Sequence, residues 1–278
     1  MSRDPDRKPA AAVQNNPLSL DEIQGALGTK RLGTRFHYFQ EIESTNSYAR
    51  RLADAGAPEG EVVIAERQSE GRGRLGRSWV SPPFSNLYCS LVLRPTLAPA
   101  HAPQITLMAA VALADTIASF VAERPAIKWP NDILIDGKKL AGILTESACD
   151  AKRIEFVILG IGVNLNFPRD RMPETIRDRA TSLMEVAGKT LSRELFVRRL
   201  IQDLDRCYGI LGDLGFAAIA PRWEAYFALR GRRVRVEMVG EAINGTATGI
   251  DGDGALLLEA EDGVLHRVLA GDVIPLGD

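Results

Sequence analysis

Residues 133–162 read ILIDGKKLAGILTESACDAKRIEFVILGIG, and this stretch decides the fold. Ile133, Leu134 and Ile135 form a short apolar run. Asp136-Gly137 is a hairpin turn pair, and residues 139–145 form the returning arm. Residues 154–162 are apolar enough for a strand buried on both faces. These strands follow one another with no helix between them. Neighbouring parallel strands need a crossover of a dozen or more residues, usually helical. The spacing therefore predicts a mixed α/β sheet rather than a strictly alternating parallel one.

Working outward, residues 62–65 and 86–93 read as further buried strands. Lys128-Trp129-Pro130 closes another, because Pro130 drives its predecessor out of the α region. Residues 105–121 have helical length and many alanines, which suits a helix packed closely on a sheet. Ser44-Thr45-Asn46 precedes a helical stretch over 47–55 that Gly56 would end. A shorter helical pattern covers 18–27, with Ser19 as N-cap and Glu22 three residues on. Residues 191–211 and 217–227 read as helices. Beyond Leu229 the period changes to two: Val234, Val236 and Met238 alternate with Arg233, Arg235 and Glu237. Turn signals at Asn244-Gly245, 251–254 and Asp262-Gly263 then predict a small β-barrel of about 50 residues.

Composition narrows the function. The chain has 278 residues, 45% hydrophobic and 25% charged, with 34 Lys or Arg against 36 Asp or Glu. This is ordinary globular composition, and the near-zero balance argues against a surface built wholly for nucleic acid. The charge is uneven. Residues 229–278 carry five Arg and nine Asp or Glu, a net −4, which leaves the remainder at +2. No apolar run approaches the roughly 18 residues of a membrane helix. Cys89, Cys149 and Cys207 are too few and scattered for a disulfide framework or a zinc site. His37, His101 and His266 form no recognisable triad with a serine. Residues 1–17 are polar and proline-punctuated, without a signal-peptide core, and are expected to form a disordered tail. The expectation is a soluble cytoplasmic protein.

The most informative segment chemically is Gly71-Arg72-Gly73-Arg74-Leu75-Gly76-Arg77-Ser78-Trp79. Glycines permit positive φ and close backbone approach, and arginines offer fixed donor forks to oxyanions. The segment fits G-x-G-x-x-G, but Trp79-Val80-Ser81-Pro82-Pro83 cannot open the helix a dinucleotide site needs. It also fits the phosphate-loop spacing, but with Arg77 in place of the required lysine. An anion-binding loop of another kind is the remaining functional reading; the bland alternative is a solvated basic loop.

This loop resembles the signature of biotin protein ligases. Other stretches similar to the family occur in order: Ser44-Thr45-Asn46, Gln68, Lys128-Trp129-Pro130-Asn131-Asp132, residues 139–144 (KLAGIL), residues 160–164 (GIGVN) and Pro221-Arg222-Trp223-Glu224. The resemblance runs from about Phe36 to the C-terminus. It implies a class-II-synthetase-like, biotin-ligase-like mixed sheet over 30–228, an SH3-like C-terminal β-barrel over 229–278 and a disordered or partly helical leader over 1–29. It also implies the activity. The family makes biotinoyl-5′-AMP from biotin and ATP with Mg²⁺, then passes biotin to one lysine of the biotin carrier domain of a carboxylase, such as acetyl-CoA carboxylase.

Residue roles follow from the same resemblance. Lys139 and Arg74 are the implied catalytic groups. The implied biotin contacts are Ser44, Thr45, Asn46, Gln68, Arg72, Gly73, Arg74, Lys139 and Gly142. Hydroxyls and amides suit a ureido ring that both donates and accepts, although Ser44 and Thr45 could equally be a plain helix cap. Lys138 competes with Lys139, since strand neighbours point to opposite faces; the family motif selects Lys139. Arg72, Arg74, Arg77, Trp79, Lys128, Asn131 and Asn164 are the implied ATP or adenylate contacts, and Asp132 the magnesium ligand. Trp223 is expected to anchor the barrel, while Arg230, Arg232, Arg233 and Arg235 could face the site. Competing functions are a lipoate ligase, a biotin-responsive repressor and a non-catalytic biotin binder. The short stretch before Phe36 leads to the expectation of no specific DNA binding, no membrane, and an oligomeric state left open with a homodimer among the options.

Overall fold

The structure, a computed structural model, describes residues 16–238 and 240–276. The first fifteen residues of the expected tail lie outside that range. The chain enters through α1 (Leu20–Gln24), where the Ser19 hydroxyl accepts from the Glu22 N–H. Leu18, Ile23, Leu27 and Leu32 are buried in the main core. The Asp205 carboxylate accepts the backbone N–H groups of Lys30, Arg31 and Leu32. Residues 18–32 therefore pack against the main body.

A βαβ unit follows: β1 (Arg35–Ile42), α2 (Thr45–Asp54) and β2 (Glu61–Gln68), with β1 and β2 parallel. The sequence does not announce β1, because its burial is mixed along both faces, as befits an edge strand. Next come β3 (Leu87–Leu93), α3 (Pro103–Ala118), β4 (Ala126–Lys128), β5 (Asp132–Ile135), β6 (Lys138–Cys149) and β7 (Ile154–Val163). Their order in the sheet is β1-β2-β3-β7-β6-β5-β4, antiparallel apart from the first pair. The β5–β6 turn is the expected one, with Asp136 at φ 49° and Gly137 at φ 74°, the pair a type I′ turn requires. Short helices α4 (Glu174–Arg177) and α5 (Leu183–Ala187) lie on the excursion to the long α6 (Arg193–Leu214), and α7 (Ala220–Tyr226) closes this part.

The sheet is covered on both faces. α2 packs on β2, β3 and β7, whereas α3 packs on β6 and on α6. Every residue from Gln104 to Ala114 is buried, so α3 is covered all round and mostly apolar, as suits a helix sandwiched between layers. A buried ion pair joins β2 to the start of α6 within this core. Arg193 Nη1 lies 2.6 Å from Glu66 Oε2, with side chains 6% and 0% exposed. Glu66 also accepts the Leu18 N–H and the Tyr38 hydroxyl.

The C-terminal unit is a five-stranded antiparallel sheet: β8 (Arg233–Met238), β9 (Glu241–Ile250), β10 (Leu256–Glu259), β11 (Leu265–Val268) and β12 (Asp272–Pro275), in the order β11-β10-β9-β8-β12. The turns at 251–254 and Asp262-Gly263 fall between strands as expected. Asn244-Gly245 does not: it lies inside β9, paired with Arg235 and Val234. Gly245 serves a different need there, since a Cβ would stand 2.8 Å from the Glu259 carbonyl oxygen on β10. The missing side chain permits close approach of a neighbouring strand rather than a turn.

One hydrophobic core runs from the large sheet into this unit. Trp223 on α7 is fully buried and stacks on Phe227 at 4.9 Å. Glu224 accepts the Ile250 N–H and pairs with Arg230, and Trp129 Nε1 donates to the Gly254 carbonyl. Trp129 is thus a packing residue of the junction.

Candidate functional site

A cleft, open at its mouth, lies on the α2 face of the sheet beneath residues 71–79. The loop is a small hairpin closed on itself. Gly73 N–H donates to the Arg77 carbonyl and Trp79 N–H to the Gly71 carbonyl. Only a single 3₁₀ turn forms, at Arg74–Gly76, so the dinucleotide and phosphate-loop matches are without the helix they need. Leu75 at the tip holds φ 55° and is two-thirds exposed. A non-glycine residue held in the left-handed region costs about 1–3 kcal/mol and is concentrated at functional loops.

One end of the cleft is built from uncharged hydrogen-bonding groups. Ser44 caps α2, its hydroxyl accepting from the Ser47 N–H. The Thr45 N–H and hydroxyl both donate to Gln68 Oε1, at 2.9 and 3.1 Å. Gln68 Nε2 donates to the Ser81 hydroxyl. Asn46 is buried, and its amide is engaged within the protein: Nδ2 donates to the Leu144 carbonyl and to Glu146 Oε2, and Oδ1 accepts from Ser90. Asn46 therefore supports this end of the cleft. It can sit there because β7 offers Gly160 beneath it; a Cβ at that position would meet Asn46 Oδ1 at 2.0 Å.

The middle of the cleft is cationic. Arg74 donates to Asn131 Oδ1 at 3.0 Å and to the Gly271 carbonyl at 3.1 Å. Burial lowers its pKa, against the pull of Asp132 and Asp272. Lys139 Nζ lies 2.7 Å from Asp132 Oδ1 and 5.5 Å from the Trp79 ring centroid. Its backbone is held as well, the N–H donating to the Arg179 carbonyl and the carbonyl accepting from Thr181. Lys138 lines a separate groove, so the choice between the two lysines falls to Lys139. Trp79 lies flat over the strands because two glycines leave room. A Cβ on Gly142 or Gly162 would come within 3.1 or 2.7 Å of its ring. Its Nε1 is buried without a partner.

Two carboxylates stand among these cations. Asp272, at the start of β12, accepts from Arg77 Nη2 at 2.5 Å and lies 3.9 Å from Lys128 Nζ. Burial works to raise the Asp272 pKa, but the hydrogen bond from Arg77 and the charges of Lys128, Arg77 and Arg74 outweigh it and hold it below the ordinary value. The same pair raises the pKa of Arg77. Asp132 Oδ1 is shut off from solvent and meets the Lys139 ammonium without hydrogen-bond geometry. Among the described residues no group of three His, Cys, Asp or Glu could hold a metal. A lone carboxylate with spare acceptor capacity nevertheless fits magnesium, which takes one or two carboxylates plus substrate phosphates.

Of the residues singled out in the sequence, Ser44, Thr45, Asn46, Gln68, Arg72, Gly73, Arg74, Arg77, Trp79, Asn131, Asp132, Lys139 and Gly142 all line this cleft. Two do not. Lys128 stands behind Asp272. Asn164 is buried and donates to the Thr181 carbonyl, steadying the segment that holds Lys139. The barrel arginines also turn elsewhere: Arg230, Arg233 and Arg235 pair with Glu224, Glu261 and Glu237. What the barrel supplies is Gly271 and Asp272, which with Glu146 and Ser90 are the residues bonded to the loop and cleft that sequence reasoning missed. None of the four belongs to a motif. Gly160 and Gly162 did leave a signal, in the GIGVN stretch. Cys89, buried on β3, has its thiol pushed up to about 12 by burial, which leaves it inert.

The fold and the cleft together define a mixed-sheet domain whose glycine-arginine loop is held over a cationic cleft by a small C-terminal β unit. Comparison with known proteins agrees. Residues 38–164 match the biotin/lipoate A/B protein ligase family and residues 230–274 the biotin protein ligase C-terminal domain. The bifunctional ligase/repressor BirA of Bacillus spizizenii is 38% identical over 256 residues, covering 92% of this chain and 78% of that one. A biotin–[acetyl-CoA-carboxylase] ligase of Paracoccus denitrificans is 38% identical over 80% of this chain and 92% of its own. The biotin protein ligase of Aquifex aeolicus, solved in complex with biotin and ATP, superposes with a TM-score of 0.76 at 27% identity, over 88% of this chain and all of that one. The chain belongs to the biotin protein ligase family. Its fold is accordingly the biotin-ligase-like mixed sheet with an SH3-like C-terminal unit.

Proposed function

We propose that the protein is an ATP-dependent biotin ligase that forms biotinoyl-5′-AMP and transfers biotin to one lysine of a carboxylase's biotin carrier domain, with acetyl-CoA carboxylase the leading candidate. The observation that carries this is the division of one cleft into an uncharged end (Ser44, Thr45, Gln68) and a cationic middle (Arg74, Arg77, Lys139). That division matches a substrate with a neutral ureido ring at one end and a carboxylate at the other.

In the first step a biotin carboxylate oxygen attacks the α-phosphorus of ATP, and the bond to pyrophosphate breaks. Two anions must approach, and Lys139 and Arg74 neutralise both. Lys139, a compact cation, can follow an oxyanion whose geometry changes, and Arg74 is oriented beforehand by Asn131 and Gly271. Asp132 is the carboxylate that would hold Mg²⁺, with nucleotide phosphates as the further ligands; the ion would neutralise charge on the phosphates. Arg77, with Trp79 and Asn131, lines the path proposed for the nucleotide and keeps water from the adenylate; Arg72 and Gly73 border the biotin end, and Lys128 acts on that path only through Asp272. In the second step the amine of the acceptor lysine attacks the biotinoyl carbonyl, the bond to AMP breaks, and the lysine loses a proton as the amide forms.

Residues 30–228 are proposed as the catalytic domain and 229–278 as the barrel that braces the loop. No DNA-binding role is assigned to the described residues: ahead of β1 they hold one five-residue helix, whereas a helix-turn-helix domain needs about three helices. No described helix is long and apolar enough to cross a membrane, and a cytoplasmic site of action is proposed with the carboxylase as partner. The test is incubation with biotin, MgATP and a biotin carrier domain, reading pyrophosphate release and avidin-detected product together. The expected result is product that requires the acceptor lysine. Preference for lipoate over biotin, or no transfer at all, overturns the proposal.

A further inference from the structure

Glu146 lies on β6, two residues beyond Leu144 and on the same face as Gly142, the face that carries the cleft. Its Oε2 accepts Asn46 Nδ2 at 2.7 Å and lies 3.2 Å from Arg72 Nη2. Arg72 Nη2 also donates to the Ser47 hydroxyl. On its other side Asn46 accepts from Ser90, which is 2.8 Å from Thr45 Oγ1, and Thr45 leads to Gln68 and Ser81. Ser81 donates to the Trp79 carbonyl. A continuous polar chain therefore starts at Arg72, on one arm of the glycine-arginine hairpin, and returns to Trp79, on the other. Glu146 is the single carboxylate in it.

The chain has a physical weak point. Removal of Glu146 would leave Asn46 Nδ2 with the longer bond to the Leu144 carbonyl, 3.3 Å. Arg72 would keep one hydroxyl partner. The other carboxylate that holds the hairpin, Asp272, acts on Arg77 on the opposite arm, so the two carboxylates hold different arms of the loop. Glu146 does not itself line the cleft.

We infer that Glu146 is a positioning residue for the biotin end of the site: it sets Arg72 and Asn46, and through Asn46 the Thr45–Gln68 pair, without touching substrate. The inference rests on the biotin-ligase reading above. It assigns Glu146 to biotin and not to ATP, and this split separates positioning from general structural support.

The experiment compares E146A and E146Q with the wild type in steady-state kinetics, varying biotin and ATP separately, and includes R72A and R72A/E146A. Loss of the charge-assisted hydrogen bond is expected to raise KM for biotin about tenfold in E146A. E146Q keeps an acceptor for Asn46 but loses the half-exposed ion pair, and a rise of about threefold is expected. KM for ATP and kcat should stay within about twofold. The E146A effect should shrink in the R72A background, since part of it acts through Arg72. Unchanged KM for biotin in both variants overturns the inference, as does an equal change in the biotin and ATP constants. If E146A melts early, E146Q decides alone by the same criterion. A wild type that attaches no biotin defeats the functional reading itself; a wild type that does, with unaffected variants, defeats only this inference.

Discussion

Lys139, the cation proposed to meet both anions, shows how much of the proposed chemistry depends on where a single charge is held. Its ammonium rests against Asp132, its ring neighbour is Trp79, and both of its peptide groups are bonded to the segment around Arg179 and Thr181. The side chain is thus aimed before substrate arrives, which is the condition for electrostatic stabilisation without reorganisation. Lys139→Met is expected to slow biotin-dependent ATP–pyrophosphate exchange about 10²–10³-fold, the usual loss for one such donor, with little change in the melting temperature. Exchange within about threefold of the wild type would remove Lys139 from the catalytic set. The lysine motif and the glycine-arginine loop were legible because each carries several unusual residues in a row. Glu146 and Asp272 were not. An isolated carboxylate looks like any surface acid until the fold sets it against an arginine.

The elements around the cleft work by close approach. α2 can lay Asn46 onto β7 only over Gly160, and Trp79 can lie across β6 and β7 only over Gly142 and Gly162. The loop is then held at its far end by β12. Because the folded-state pKa of Asp272 lies below its ordinary 3.8, its contribution is fully present above the unfolded value. It is lost as pH falls through the lowered folded value. Amide hydrogen exchange between about pH 7 and about pH 2, corrected for intrinsic rates, checks this. Protection of the Gly73 and Trp79 amides should persist to below 3.8 in the wild type and then fail. Asp272→Asn should show weak, pH-independent protection over the same range. Equal protection in the two proteins would show that the barrel does not hold the loop.

Across the molecule, the Glu66–Arg193 pair ties the entering segment and α6 to β2, the strand that ends at Gln68. Both side chains are nearly or fully buried, and Arg193 also donates to the Asn86 and Asn16 carbonyls. Arg193→Met leaves Glu66 buried and unpaired, and urea denaturation should show a loss of about 3–5 kcal/mol. A loss below about 1 kcal/mol would mean that Glu66 finds water or another partner. Nothing local marked this pair, since 127 residues separate its members. The same holds for Gly271 and Asp272, which reach Arg74 and Arg77 across 197 and 195 positions.

Periodicity, turn chemistry and contiguous motifs were enough to specify the mixed sheet, the Asp136-Gly137 hairpin, the change to short strands after Leu229 and the identity of the loop. Each is a property of neighbouring residues and of backbone geometry. What only the folded chain decided was which distant groups meet. It placed Gly245 inside a strand, removed Asn164 and Lys128 from the cleft wall, turned Arg230, Arg233 and Arg235 away, and brought Glu146 and Asp272 to the two arms of the loop. The physical reason is that charge pairing and close packing act through space. A one-dimensional pattern records which groups are available, and the sheet order determines which of them come within hydrogen-bonding distance.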